Sequence, residues 1–233
     1  RKPVVVMKVG RSPVGAAAAQ SHTASLAGAD RVYDSVFRRY GALRVETTEE
    51  MLDVAYACTR RTFPAGRKLG IVTISGGGGV VLADAATAAG LEVPAMPADA
   101  QRRLKEILPF AAVRNPVDIT AQAFNDMSLV TKNVETMLAE GGYDFIVNFF
   151  TSVPRSKVIN SRLRPAMQEA ARKFPGRLQV MCMISTPEMT KEYEEDGYLD
   201  LEDPHRAVKA LAALCSYGEA FARPPRAAPP ALP

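Results

Sequence analysis

The chain of 233 residues contains no tryptophan, only three cysteines and only two histidines. Cys58, Cys182 and Cys215 are odd in number and far apart. That spacing argues against a disulfide framework or a metal site and fits a reducing cytoplasm. No apolar run reaches the roughly 18 residues that a membrane helix needs, and no signal-peptide pattern is present. The net charge of +4 is small and its lysines and arginines are dispersed, so nucleic-acid binding has no electrostatic footprint. A Walker-type phosphate loop and a G-x-G-x-x-G dinucleotide fingerprint are missing too. What remains is 47% hydrophobic and 23% charged, an ordinary globular composition with room for one large or two modest domains. A buried-type strand follows Arg1 almost at once, which reads as a piece of a longer polypeptide.

Strand and helix signals alternate along the whole chain. Residues 3–9 form a continuous β-branched run, the mark of a buried strand. Val32, Tyr33, Val36 and Phe37 have helical spacing and predict a helix from Asp30 to Tyr40, closed by Gly41. A short strand over residues 42–45 precedes Thr47-Thr48-Glu49-Glu50, a capping box that opens a helix through Thr59. Residues 62–67 read as a linker. A second α/β series starts at Leu69, with strands expected over 69–75, 143–150 and 178–184. Helices are expected from Val80, over 99–108, over 128–140, from the Thr151 turn to about Phe174, and from Asp203-Pro204 to about Phe221. The expected fold is α/β, with flavodoxin-like three-layer parallel sheets. Residues 1–62 would be the C-terminal half of one such domain, incomplete at its N-terminus. Residues 67–222 would be a second, complete one, and the Pro/Ala-rich residues 223–233 a tail or linker.

Three features carry chemistry. His22 stands alone among Gly, Ala and Ser in residues 10–28, read as a long loop after the first strand. Such loops are usually functional, and small side chains admit a ligand close to backbone amides. With Ser21 and Thr23 beside it, the imidazole offers one nucleophilic nitrogen among hydroxyls, which suits a phosphate. Gly76, Gly77, Gly78 and Gly79 join a strand to a helix, and Thr151-Ser152 does the same later. Both turns are candidate anion sites, because free amides and the helix dipole converge there. The competing reading of each is a tight turn or an ordinary cap. Asn115 and Asp118 bind substrate or cap a loop, and spacing does not choose between these. His205 and the acidic run Glu192, Glu194, Glu195 and Asp196 read as solvated.

The segments Lys2-Pro3-Val4-Val5-Val6-Met7-Lys8-Val9-Gly10-Arg11-Ser12 and Ser21-His22-Thr23-Ala24-Ser25-Leu26-Ala27-Gly28 resemble the NDP-forming acyl-CoA synthetases of the succinyl-CoA synthetase superfamily. The family pattern has Gly-Ala where this chain has Ala24 and Ser25. Leu69 to Thr73 with Gly76 to Gly79, then Asn115-Pro116-Val117-Asp118, and finally Pro204 to Ala212, resemble the next domain in the same order. The resemblance implies a reaction of a carboxylic acid, CoA and a nucleoside triphosphate through an acyl phosphate and a phosphohistidine, with His22 as the acceptor. It also implies two helix N-termini aimed at that phosphohistidine. The Thr151-Ser152 turn and the Gly76–Gly79 turn compete as one of them. The CoA-binding and ATP-grasp domains of such enzymes are not visible in this sequence. CoA and Mg-ATP or ADP would therefore be held elsewhere, in cis or in trans, with no cofactor or metal on this segment and no turnover by it alone. The expected setting is a cytoplasmic homo-oligomer, apart from nucleic acid and membrane. The rival reading is a non-catalytic ligase-like module that binds an anion or a protein.

Overall fold

The computed structural model describes residues 2–23 and 29–224. The first segment contributes β1 (Val5–Met7), α1 (Pro13–Thr23), α2 (Asp30–Tyr40), β2 (Leu43–Val45) and α3 (Thr48–Cys58). β1 and β2 pair in parallel, Val5 opposite Leu43. Gly41 closes α2 with a left-handed φ of 70°, and its N–H returns to the Phe37 carbonyl. α3 opens with the expected Thr47 cap, and the Glu50 side chain reaches back one residue beyond it. Thr47 Oγ1 accepts from the Glu50 N–H at 3.0 Å, while a Glu50 carboxylate oxygen accepts from the Glu46 N–H at 2.9 Å.

One expectation fails here. Residues 13–23, read as loop, are the helix α1, and His22 lies in its last turn. The run Ala16 to Ala19 has the highest helix propensity of any residue type. Its uniform small side chains show no periodicity by which to recognise it. The side chains of His22 and Thr23, and all of residues 24–28, lie outside the described residues.

The second series forms a five-stranded parallel sheet of β3 (Leu69–Thr73), β4 (Val117–Asp118), β5 (Phe145–Thr151), β6 (Leu178–Met183) and β7 (Leu199–Asp200). The spatial order is β4-β3-β5-β6-β7, which is 2-1-3-4-5 within this unit, the flavodoxin-like order. Side chains alternate across the sheet. Ile71, Phe145, Val147 and Val180 face one layer, α4 (Gly76–Ala88) and α9 (Pro204–Ala222). Val72, Ile146, Met181 and Met183 face the other, α5 (Ala98–Ile107), α6 (Met127–Glu140), α7 (Lys157–Lys173) and α8 (Pro187–Glu195). Burying a Val, Leu, Ile, Phe or Met side chain contributes roughly 1.5–3 kcal/mol, so both layers are held by the sheet they cover.

The acidic run is less solvated than expected. It lies on α8 and its end, where Tyr193 is buried and the Asp196 carboxylate is held by Arg164 and Gln168. The edge strands β4 and β7 are two residues each, too short to show a period in sequence.

Residues 62–67 connect the two series without standing clear of them. Phe63 packs edge-on against Tyr217 and Phe221, and Arg67 pairs with Glu219 at 2.6 Å. Gly218 of α9 lies directly on the Pro64 carbonyl, where no side chain would fit. α3 packs along α9, and Val45, Val54, Ala213 and Tyr217 form a small core between them.

Candidate functional site

In a doubly wound sheet, ligands bind outside the carboxyl ends of the strands, where the strand order reverses. Here the reversal falls between β3 and β5, because the chain passes from β3 outward to β4 and then back across to β5. Both candidate turns sit at this point, and the structure separates them.

At the end of β3, the Thr73 hydroxyl bridges the Ser75 N–H and the Ser75 carbonyl, each at 3.0 Å. Ser75 then caps α4, its Oγ accepting from the Gly78 N–H at 3.3 Å. All four glycines therefore belong to the first turn of a 13-residue helix, not to a loop before it. Gly78 is wedged against the Phe149 ring, where packing requires glycine, and Gly79 sits tightly against Pro116 and Thr73. Around Gly77 nothing lies within 4 Å of where a Cβ would be. The Gly76 and Gly77 amides donate to no acceptor among the described residues, as the first amides of a helix do, and lie at the positive end of its dipole.

The Thr151-Ser152 turn does not open a helix in the expected way. A three-residue 3-10 turn, Val153–Arg155, intervenes, and α7 starts only at Lys157. Neither Ser152 nor Ser156 caps with its side chain. Thr151 has φ 53°, unusual for a β-branched residue, and its carbonyl accepts from the Ile184 N–H at 2.8 Å. A left-handed Thr151 and a 3-10 turn thus stand where a helix start was expected, which a strand-plus-hydroxyl motif could not disclose.

Asn115 is engaged within the fold. It is 8% exposed, and its carboxamide accepts from the Ile71 N–H and donates to the Leu69 and Pro94 carbonyls at 2.8–3.0 Å. These bonds engage both ends of the amide and fasten β3 to the segment around Pro94 before α5. Asp118 differs. One carboxylate oxygen accepts from the Thr120 N–H at 2.8 Å, and the other lies beside Gly76 at the mouth of α4. Ser21 donates to the Ala18 carbonyl within α1 at 2.8 Å, a backbone bond that leaves the hydroxyl oxygen as an acceptor.

A cavity of about 790 Å³ opens on the same carboxyl edge. Phe149, which packs on Gly78, also lines this cavity, so it adjoins the α4 terminus. Thr151 and Ile184 supply further wall, and His205, Arg206 and Lys209 come from the first turns of α9. His205 is exposed, as its place after the Asp203 cap suggested, but it borders this cavity. Arg206 is tied to Asp53 of α3 by two hydrogen bonds of 2.6 and 2.8 Å and to Glu49 at 3.1 Å, which holds its guanidinium pKa above the usual value. The cavity was not legible in the sequence because its walls come from residues 49, 149, 151, 184, 202–206 and 209, far apart along the chain. Among the described residues no group of three or more His, Cys, Asp or Glu could hold a metal, and the thiols are all free. No helix there is long and apolar enough to cross a membrane.

A parallel sheet in the 2-1-3-4-5 order, with helices on both faces, defines a doubly wound, flavodoxin-like α/β domain. Residues 1–58 match the succinyl-CoA ligase like flavodoxin domain, and residues 69–143 match the ligase-CoA domain. The alpha subunit of ADP-forming acetate–CoA ligase II from Pyrococcus furiosus is 41% identical, over 92% of this chain and 47% of its own length. The alpha subunit of ligase I from the same organism is 33% identical, over 94% of this chain and 47% of its own. Among solved structures, the dinucleotide forming acetyl-coenzyme A synthetase 1 of Ca. Korarchaeum cryptofilum, in complex with phosphate and ADP, superposes with a TM-score of 0.79 at 28% identity. That match covers 94% of this chain and 48% of the other. The chain thus spans about half the length of these relatives. It belongs to the succinyl-CoA synthetase superfamily, among the ADP-forming acyl-CoA synthetases.

Proposed function

We propose that this chain is the central region of an enzyme that forms acyl-CoA from a carboxylic acid, CoA and ATP, with release of ADP and phosphate. On this reading His22 is the phosphoryl carrier. Its neutral imidazole forms a P–N bond as the bond from phosphorus to ADP breaks. The phosphohistidine then passes the group to the carboxylate, and the CoA thiol displaces phosphate from the acyl phosphate. Charge rests throughout on phosphoryl oxygens, so the protein's contribution is positioning and fixed dipoles.

The observation that carries this reading is the α4 terminus at the sheet reversal, with two open amides and a glycine free of neighbours. It supports the Gly76–Gly79 turn over Thr151-Ser152 as the site that meets the phosphoryl group. Ser21 and Thr23 would flank the carrier, and Asp118 would stand beside the anion site. The adjoining cavity would receive the acyl group, with Thr151 in its wall. CoA and Mg-ATP or ADP would be held by CoA-binding and ATP-grasp domains, in the same chain or in a partner subunit. A cytoplasmic homo-oligomer remains part of the proposal.

The test is phosphorylation of the intact protein with γ-labelled ATP. The label should be acid-labile, alkali-stable and lost in His22→Ala, while His205→Ala keeps it. Labelling of His22→Ala at the normal level would overturn the assignment, and an intact protein that never labels would favour the non-catalytic module.

A further inference from the structure

At the opposite, amino edge of the five-stranded sheet lies a small cavity of about 180 Å³. Gln179, the second residue of β6, borders it and is only 3% exposed. Its carboxamide makes no hydrogen bond to the described residues, and Oε1 has no partner. Buried carboxamides are almost always hydrogen-bonded, so this one calls for a ligand or ordered water.

Two guanidinium groups border the same space. Arg60, just beyond α3, donates to the Glu194 carbonyl at 3.1 Å, and Arg177, just before β6, donates to the Tyr143 carbonyl at 3.1 Å. Neither forms an ion pair among the described residues, and each keeps further N–H donors. The one carboxylate in the lining, Asp196, is already held by Arg164 at 2.6 Å and Gln168 at 2.8 Å. The cavity is thus left with an excess of positive charge and an unpaired amide. It is well below the roughly 300 Å³ at which pockets for larger ligands begin, which excludes a nucleotide or CoA.

We propose that this cavity binds a small oxyanion of the hydrogenphosphate class. Its oxygens accept from Arg60 and Arg177, in the charge-assisted geometry that guanidinium favours, and its P–O–H donates to Gln179 Oε1. The anion joins the end of α3 to the α7–β6 turn. The site is independent of His22 and of the ligase reading, and it stands or falls without them.

The test is calorimetric titration of the intact protein with inorganic phosphate. A Gly77→Asp background places a carboxylate at the α4 terminus and so removes that competing site. One phosphate should still bind, and Arg177→Ala or Gln179→Leu should weaken it about tenfold or more. Arg177 lies on an exposed turn, so its variant keeps the fold if Gln179→Leu does not. ADP should not compete in this background. Unchanged affinity in Arg177→Ala, competition by ADP, or no phosphate binding up to about 10 mM would each overturn the site and leave a hydrated cavity.

Discussion

Gly77 and Gly78 are neighbours with opposite constraints. Gly78→Ala would drive a methyl group into the Phe149 ring and should cost about 1–3 kcal/mol, read as a lower Tm. Gly77 has open space where a Cβ would lie, and a carboxylate in the first turn of a helix contributes about 0.3–1 kcal/mol. Gly77→Asp should therefore raise the Tm while slowing His22 phosphorylation, because the same carboxylate repels the phosphoryl group. If rate and Tm both stay at the normal value, the α4 terminus is no anion site. Asp200 carries a second residue-scale prediction. Burial raises its carboxyl pKa, its Oδ2 is held by Ser185 and Thr190, and its Oδ1 has no partner. For an acid with a raised folded-state pKa, the stabilising contribution is complete below the unfolded value near 4 and is lost as pH rises through the folded value. Asp200→Asn should thus gain stability relative to the parent as pH climbs from about 4 to 7. Parallel denaturation curves across that range would sink this account.

Among the elements, α3 and α9 were readable because their signals are local: a Thr-to-Glu capping box and an Asp-Pro start. α1 was not, since a run of alanines has propensity without pattern, and β4 was hidden because Asn115 and Asp118 act through partners around residues 69–76 and 94. The α4 glycines were recognised, but not that they already lie inside the helix, because packing against Phe149 is non-local. The contacts of Phe63, Pro64 and Arg67 with α9 mean that residues 62–67, read from sequence as a linker, are held against the fold. Limited proteolysis should spare this segment and start within α1, which has no buried residue among those described. Early cleavage between Thr62 and Arg67 would contradict the packing. Arg206→Ala should leave the buried Asp53 carboxylate unpaired and cost about 2 kcal/mol. A double-mutant cycle with Asp53→Asn should show coupling of about 1 kcal/mol or more, below the fully buried range because Arg206 is partly exposed. Additive effects in that cycle would mean that the pair does not hold α3 in place.

For the whole molecule, the fold class was readable from the alternation of strands and helices, whereas the way the two series share α9 was not. That sharing depends on contacts such as Tyr217 Oη donating to the Val4 carbonyl and the Asp200 N–H donating to Tyr56 Oη, each between residues far apart in sequence. The proposed function places CoA and nucleotide on other domains. The 233-residue chain by itself should therefore bind either only weakly in calorimetry, and micromolar affinity for CoA or ADP would show that such a site lies within it.

The seat of Pro64 on Gly218 bears on connectivity. Phe63, Pro64 and Arg67 of the stretch between the two series each contact α9, so the stretch is held by these contacts as well as by the chain itself. A chain cut there should still elute as one particle through the α3–α9 seam, and two separate peaks on size exclusion would contradict this. Such a seam allows genes to split or fuse at this point while the folded object stays the same.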